Sequence, residues 1–140
     1  MSRKAATSPS IGDRRAERGA ATTELVVATP LLLLLVLLVV QFALWEHAIH
    51  IADAAAQEGA RAARLEGGTA ADGAERAREF LAQLSPTILV HPQVTARRTA
   101  DTAQVEITGQ VMAVLPGMRL PVRATSQGVV EVFRPPAHTP

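Results

Sequence analysis

Residues 25–45 read LVVATPLLLLLVLLVVQFALW, a 21-residue window without a charged side chain, in which only Thr29, Pro30 and Gln41 interrupt the apolar run. A helix rises 1.5 Å per residue, so this window spans about 30 Å, the hydrocarbon thickness of a bilayer. It reads as a membrane segment, and the rest of the chain is organised around it. On its N-terminal side, residues 1–19 carry Arg3, Lys4, Arg14, Arg15 and Arg18 against Asp13 and Glu17, a net charge of +3. Residues 20–140 carry nine basic and eleven acidic side chains, a net of −2. Basic residues beside a first hydrophobic helix hold that flank in the cytoplasm. The expectation is a single-pass protein of the inner (cell) membrane, with a cytoplasmic N-terminus and a periplasmic or extracellular C-terminal part.

Composition removes several function classes. The 140 residues suit one small domain and leave little room for a multidomain enzyme. Without cysteine there is no disulfide framework, thiolate zinc site or cysteine nucleophile, and packing alone must hold the part outside the membrane. Three Phe, one Trp, no Tyr and a net charge of +1 supply neither a stacking surface nor a phosphate-binding field, so nucleic acid is not an expected partner.

Four zones follow along the chain. Residues 1–19 form a basic cytoplasmic leader with no periodic apolar pattern. A helix is expected from about 20 to 66, because residues 46–66 contain no Pro, only Gly59, and many Ala, Arg, Glu and Gln; Gly67 and Gly68 then stop it. In its outer half, Glu46, His50, Asp53, Gln57, Arg61 and Arg64 make one solvated stripe. Ala48, Ile51, Ala52, Ala55, Gly59 and Ala62 lie largely opposite, a small-sided face suited either to a sheet of the same chain or to another copy of the helix.

The third zone is an amphipathic helix near 70–84, with Asp72 and Glu75 as a capping-box-like pair, an apolar stripe of Ala74, Ala77, Phe80, Leu81 and Leu84, and a stop at Ser85-Pro86. Beyond Thr87 the period changes. Val105, Ile107, Gly109 and Val111 alternate with polar residues, and further β-favouring runs occupy 93–98 and 121–133. Three or four antiparallel strands are expected, with turns at 99–102 and Pro116-Gly117. The fold class is therefore α+β, divided into a leader (1–19), a transmembrane helix (20–45), an extracytoplasmic domain (46–134) and a loose tail (135–140).

Catalytic constellations are weak. Glu46 and His50 share one side of a helix, but His47 lies about 100° around it and there is no HExxH, so a solvated membrane-exit face outweighs a metal site. Ser85, Ser126 and the histidines stand in no nucleophile motif, and Gly67-Gly68 ends a helix where a phosphate loop would begin one. No catalytic residue, metal, cofactor or small-molecule substrate is expected.

The most specific signal lies at the membrane entrance, where Arg18-Gly19-Ala20-Ala21-Thr22-Thr23-Glu24-Leu25 runs straight into the apolar helix. Gly19 has no side chain to obstruct a protease, and a Gly just ahead of a helix is easily unwound. Glu24 is the costly residue, because an unpaired carboxylate near lipid costs about 2–3 kcal/mol or more. It should find a cation or stay at the interface. The plain alternative is a helix cap, since negative charge is favoured at a helix N-terminus. Pro30 marks a kink or sits harmlessly near the first turns, and Trp45, where the apolar run ends, is an interfacial anchor.

This pattern resembles the processing site of type IV prepilins, in which a membrane-embedded peptidase cuts after the Gly and the Glu becomes the fifth residue of the mature chain. With Pro30 ahead of the run Leu31–Leu35, it looks like the TadE-like pseudopilins of the tight-adherence (Flp pilus) system. The resemblance is close over residues 14–45 and one of general architecture from 46 to 134. Leu25 stands where many Tad pilins carry Tyr after the Glu, which fits a pseudopilin better than a main fibre subunit. The resemblance implies cleavage between Gly19 and Ala20 by prepilin peptidase, and pairing of Glu24 with the new ammonium on a neighbouring subunit. It also implies partnership with other pilin-like subunits and the pilus assembly machinery.

The resulting expectation is a non-enzymatic minor pilin or pseudopilin serving a Tad pilus or related fibre. The runner-up is an uncleaved, signal-anchored envelope protein whose periplasmic domain binds another protein. A soluble domain released after Ala54-Ala55-Ala56 is weaker because the apolar run exceeds a signal-peptide core, and a zinc-dependent periplasmic enzyme is weakest.

Overall fold

The computed structural model describes the backbone of residues 11–131 and the side chains of residues 24–131. Helix α1 runs Ile11–Arg64, α2 runs Ala70–Leu84, and three strands follow: β1 (Leu89–Arg98), β2 (Thr102–Val111) and β3 (Pro121–Val129). The α+β class and the short second helix are as the sequence implies, and the sheet has three strands in the order β1-β2-β3, both pairings antiparallel. Residues 1–10 of the leader and the tail 135–140 lie outside the described residues. Helix α1 begins at Ile11 rather than near residue 20, and residues 13–18, Asp-Arg-Arg-Ala-Glu-Arg, include good helix formers that give the backbone no reason to break.

The chain divides into two compact units, residues 1–39 and 40–140. In the first, the apolar residues have nothing over them: Leu25 is 66% exposed, Leu31 67% and Val39 63%. The helix residues 24–64 include the one segment among the described residues that is long and apolar enough to cross a membrane. Such a side-chain set is stable against lipid, not water.

The second unit packs a core. Ala48, Ile51, Ala52, Ala55 and Ala56 of α1 meet Val105, Ile107, Val122 and Ala124 of the sheet, with Ala77 and Leu81 of α2 beside them. Sequence left two occupants open for the small-sided face of α1. It is filled by this chain's own sheet and α2. Gly59 shows why small residues are needed there: a Cβ on it would come within 2.6 Å of the Gly73 carbonyl oxygen, and one on Gly73 within 2.8 Å of the Gly59 oxygen. The two helices touch backbone to backbone, which any larger side chain would prevent.

Helix α2 has the expected bounds, but its cap lies three residues earlier than the Asp72/Glu75 pair. The N-cap is Thr69, whose hydroxyl accepts from the Asp72 N–H (3.1 Å), while the Asp72 carboxylate accepts from the Thr69 N–H (2.7 Å). Thr69 wins because Gly67, two residues earlier, has a φ of 77° that ends the preceding chain direction and leaves Thr69 free to adopt the extended conformation a cap requires. Leu84 of the expected stripe is half exposed, beyond the reach of the sheet.

Strand β1 starts four residues before the run that sequence picks out. The reason is a bulge between Val90 and Gln93, where His91 and Pro92 together oppose Gly109 of β2. His91 has φ 51°, a left-handed conformation that His tolerates better than most residues, and Pro at a bulge gives up no ladder hydrogen bond. The turn at 99–102 is closed by the Thr99 N–H donating to the Thr102 carbonyl (2.8 Å), and the one at Pro116-Gly117 by the Met118 N–H donating to Leu115 (3.2 Å).

Candidate functional site

The candidate residues all lie on α1. Gly19 and Ala20 fall where its backbone is already helical, so Gly19 does not stand ahead of the helix, and cleavage there requires local unwinding. The Ala20 side chain lies outside the described residues. Glu24, the first residue whose side chain is described, is exposed. One turn on, the Thr29 hydroxyl donates to the Leu25 carbonyl (2.7 Å), and Pro30 follows inside the helix without breaking it.

The interruption at Gln41 is the feature whose role the sequence did not disclose. Its side chain is 1% exposed and joins residues more than 70 positions away. Its amide Nε2 donates to the Met112 carbonyl (3.2 Å), and its Oε1 accepts from the N–H groups of Val114 (2.6 Å) and Leu115 (3.4 Å). One helical turn later, the Trp45 indole N–H donates to the Pro121 carbonyl (3.0 Å). Phe42 lies 5.4 Å from the Trp45 ring, centroid to centroid. Trp45 is thus a structural donor, half-buried against its own domain. Together Gln41 and Trp45 hold both ends of the β2–β3 loop against the helix. A lone Gln in an apolar run was the only signal for this, and its partners are backbone groups, which carry no sequence signature.

Elsewhere the groups singled out for chemistry are separated. Glu46 Oε1 and His50 Nε2 are 3.2 Å apart, both well exposed, and no group of three His, Asp or Glu residues converges among the described residues. The buried Ser85 hydroxyl accepts from the Leu89 N–H (3.2 Å), a structural bond at the start of β1. It borders an open groove between α2 and β1 lined by Arg78, Leu81, Pro86, Leu89 and Pro92. The outer sheet face is polar, with Arg123 paired to Glu106 at 2.7 Å.

Asp72 is held below the ordinary carboxylate value of 3.8 by its side-chain and backbone hydrogen bonds to Thr69, with a smaller contribution from Arg98. That belongs to the helix cap and not to a reaction centre.

No curated protein and no solved structure matches the chain. Residues 19–61, from Gly19 through the membrane-length run into the small-sided half of α1, match the family described as TadE-like protein.

Proposed function

We propose that the chain is a minor pilin or pseudopilin, without enzymatic activity, that takes part in assembling a Tad (Flp) type IV pilus or related adhesive fibre. The observation that carries this reading is where the family match begins: at Gly19, the expected processing position, five residues before Glu24. The basic leader stays cytoplasmic, the apolar helix inserts, and residues after Trp45 face outward. Prepilin peptidase hydrolyses the Gly19–Ala20 bond, leaving an ammonium on Ala20. Glu24 then pairs with that ammonium on a neighbouring subunit, where low dielectric strengthens the attraction and sets axial register in a way that Leu packing does not. Pro30 and Trp45 belong to the same anchoring segment, and the partners are the membrane, the peptidase, other pilin-like subunits and the assembly machinery.

Intact-mass measurement on the protein from its native membrane tests the first step. The expected mature chain starts at Ala20, and Gly19→Leu should retain the leader; a native protein that keeps residues 1–19 beside an active peptidase overturns the reading. For Glu24→Gln, the expected protein is inserted, cleaved and stable but poorly co-purified with other pilin-like subunits. Equal incorporation would leave Glu24 without a role in assembly.

A second reading has one observation in its favour. The backbone through Gly19 is helical, whereas proteolysis needs it extended. An uncleaved, signal-anchored envelope protein whose outer domain binds another protein would keep that helix intact, and the same mass measurement separates the two.

A further inference from the structure

Residues 112–120, between β2 and β3, read Met-Ala-Val-Leu-Pro-Gly-Met-Arg-Leu. Six of the nine are apolar, none is acidic, and the one charge is the exposed Arg119. Such a composition is unusual for a loop between strands whose solvent face is Thr, Gln, Arg and Glu. The loop is also held tightly. Gln41 takes up the Met112 carbonyl and the Val114 and Leu115 N–H groups, and the Val111 N–H donates to Leu120 (3.0 Å) and the Met112 N–H to Ile88 (2.8 Å). With these backbone groups satisfied inside the protein, the loop can enter a poorly hydrating environment without the usual penalty for irregular backbone. Yet Met112 remains 42% exposed and Ala113 is exposed.

The residue that clamps the loop directly follows Val40, the last residue of the bare apolar run. Phe42 stands next to it and Trp45 one turn beyond, and both are of the aromatic type that collects at the membrane–water interface. We propose that the 112–120 loop is a second membrane-contacting element, lying in the headgroup layer, with its Met and Leu side chains against the upper acyl chains and Arg119 toward lipid phosphates. Gln41 is the positioning residue that makes this possible. It sits where the helix leaves the hydrocarbon, and it satisfies the loop's polar backbone where water is scarce. The occupant is lipid and not a second protein because apolar exposure, cationic charge and lack of acid coincide at the exit of a lipid-length helix.

The inference rests on the membrane reading of α1 and not on the pilus reading. Because the chain has no cysteine, single-cysteine labels need no background removal. The full chain is placed at one copy per nanodisc of phosphatidylcholine and phosphatidylglycerol, and an environment-sensitive fluorophore is attached at Ala113→Cys, Met112→Cys, Leu33→Cys or Ala100→Cys. Ala100 lies in the turn at the other end of β2, a ten-residue strand about 33 Å long. Labels at 112 and 113 should be quenched several-fold more by nitroxide lipids, and several-fold less by aqueous iodide, than the label at 100. Iodide quenching at 113 equal to that at 100 overturns the proposal. So does shielding that appears only when several copies share a disc, which would assign the loop to a protein neighbour. The Leu33 label reports insertion by itself: if it is open to iodide, the membrane reading fails and the proposal with it.

Discussion

The two units of this chain are both rich in apolar residues, but they use opposite side-chain sizes. Residues 25–40 are mostly Leu and Val and stand bare, whereas the helix residues that enter the core of the second unit are, Ile51 apart, alanines: Ala48, Ala52, Ala55, Ala56 and Ala60, almost fully buried. Large side chains suit lipid, which conforms to any shape and needs only apolar area. Small ones suit a rigid partner, where the backbone of α1 must come close to α2 and the sheet. Helix content alone would not separate these environments; side-chain volume does. The largest apolar side chains that are fully buried come from the sheet, with Val105, Ile107 and Val122 filling the space the alanines leave.

The largest expected effect breaks the comparison at its strongest point. Ile107→Ala removes a fully buried side chain at the centre of the sheet and should cost the second unit about 2–5 kcal/mol. Leu33→Ala removes a group of equal size that is 60% exposed, and should leave the second unit within about 0.5 kcal/mol of the parent. Denaturant titration of both variants in the same detergent measures the difference. Equal losses would mean that the bare run supports the fold of the second unit.

A smaller effect sharpens the boundary itself. Gln41→Leu keeps the size and apolar character of the run but removes the acceptor for Val114 and Leu115 and the donor to Met112. The expected cost is about 1–3 kcal/mol, concentrated in the loop. Trypsin cleavage after Arg119 should accelerate while the midpoint of the rest of the domain moves less. An unchanged cleavage rate would show that Trp45 and the strand ends hold the loop without Gln41.

Much of this architecture can be read from residue order because the relevant signals are local. The apolar window, the 70–84 helix and the alternation across Val105, Ile107 and Val111 each declare a period within a single element. The Thr69 cap was available too, as a Thr-x-x-Asp pattern after Gly67-Gly68, although the Asp72 and Glu75 spacing competes with it. The bulge was harder, because His91-Pro92 reads as an end to a strand until Gly109 is known to lie opposite. Gln41 was out of reach, since nothing local distinguishes a Gln that clamps a distant backbone from one that merely interrupts an apolar helix. At the membrane entrance, Gly19 and Glu24 are recognisable by pattern, while the helical backbone running through them comes from the favourable residues that precede Gly19.

The smallest expected effect concerns the cap of α2, where Asp72 couples the second unit to pH. The Thr69 hydrogen bonds favour the ionised Asp72 carboxylate and hold it below 3.8. A carboxylate depressed in the folded state binds fewer protons there than in the unfolded chain, so its contribution is complete above the ordinary value and fades as pH falls through the native one. The cap should therefore be insensitive between pH 5 and 8 and should weaken only below about pH 4. Amide exchange of the first turn, read by NMR, should quicken in that acid range in the parent chain. In Asp72→Asn the first turn should already be less protected at neutral pH, and the acid-dependent part of the change should disappear. Because Asp72 is at the surface and the α2 contacts at Gly73, Ala77 and Leu81 do not titrate, the sheet amides should hold their protection through the same range. A sheet that loosened in step with the cap would mean that α2 docking depends on its first turn, and that the second unit is less separable into local parts than its packing implies.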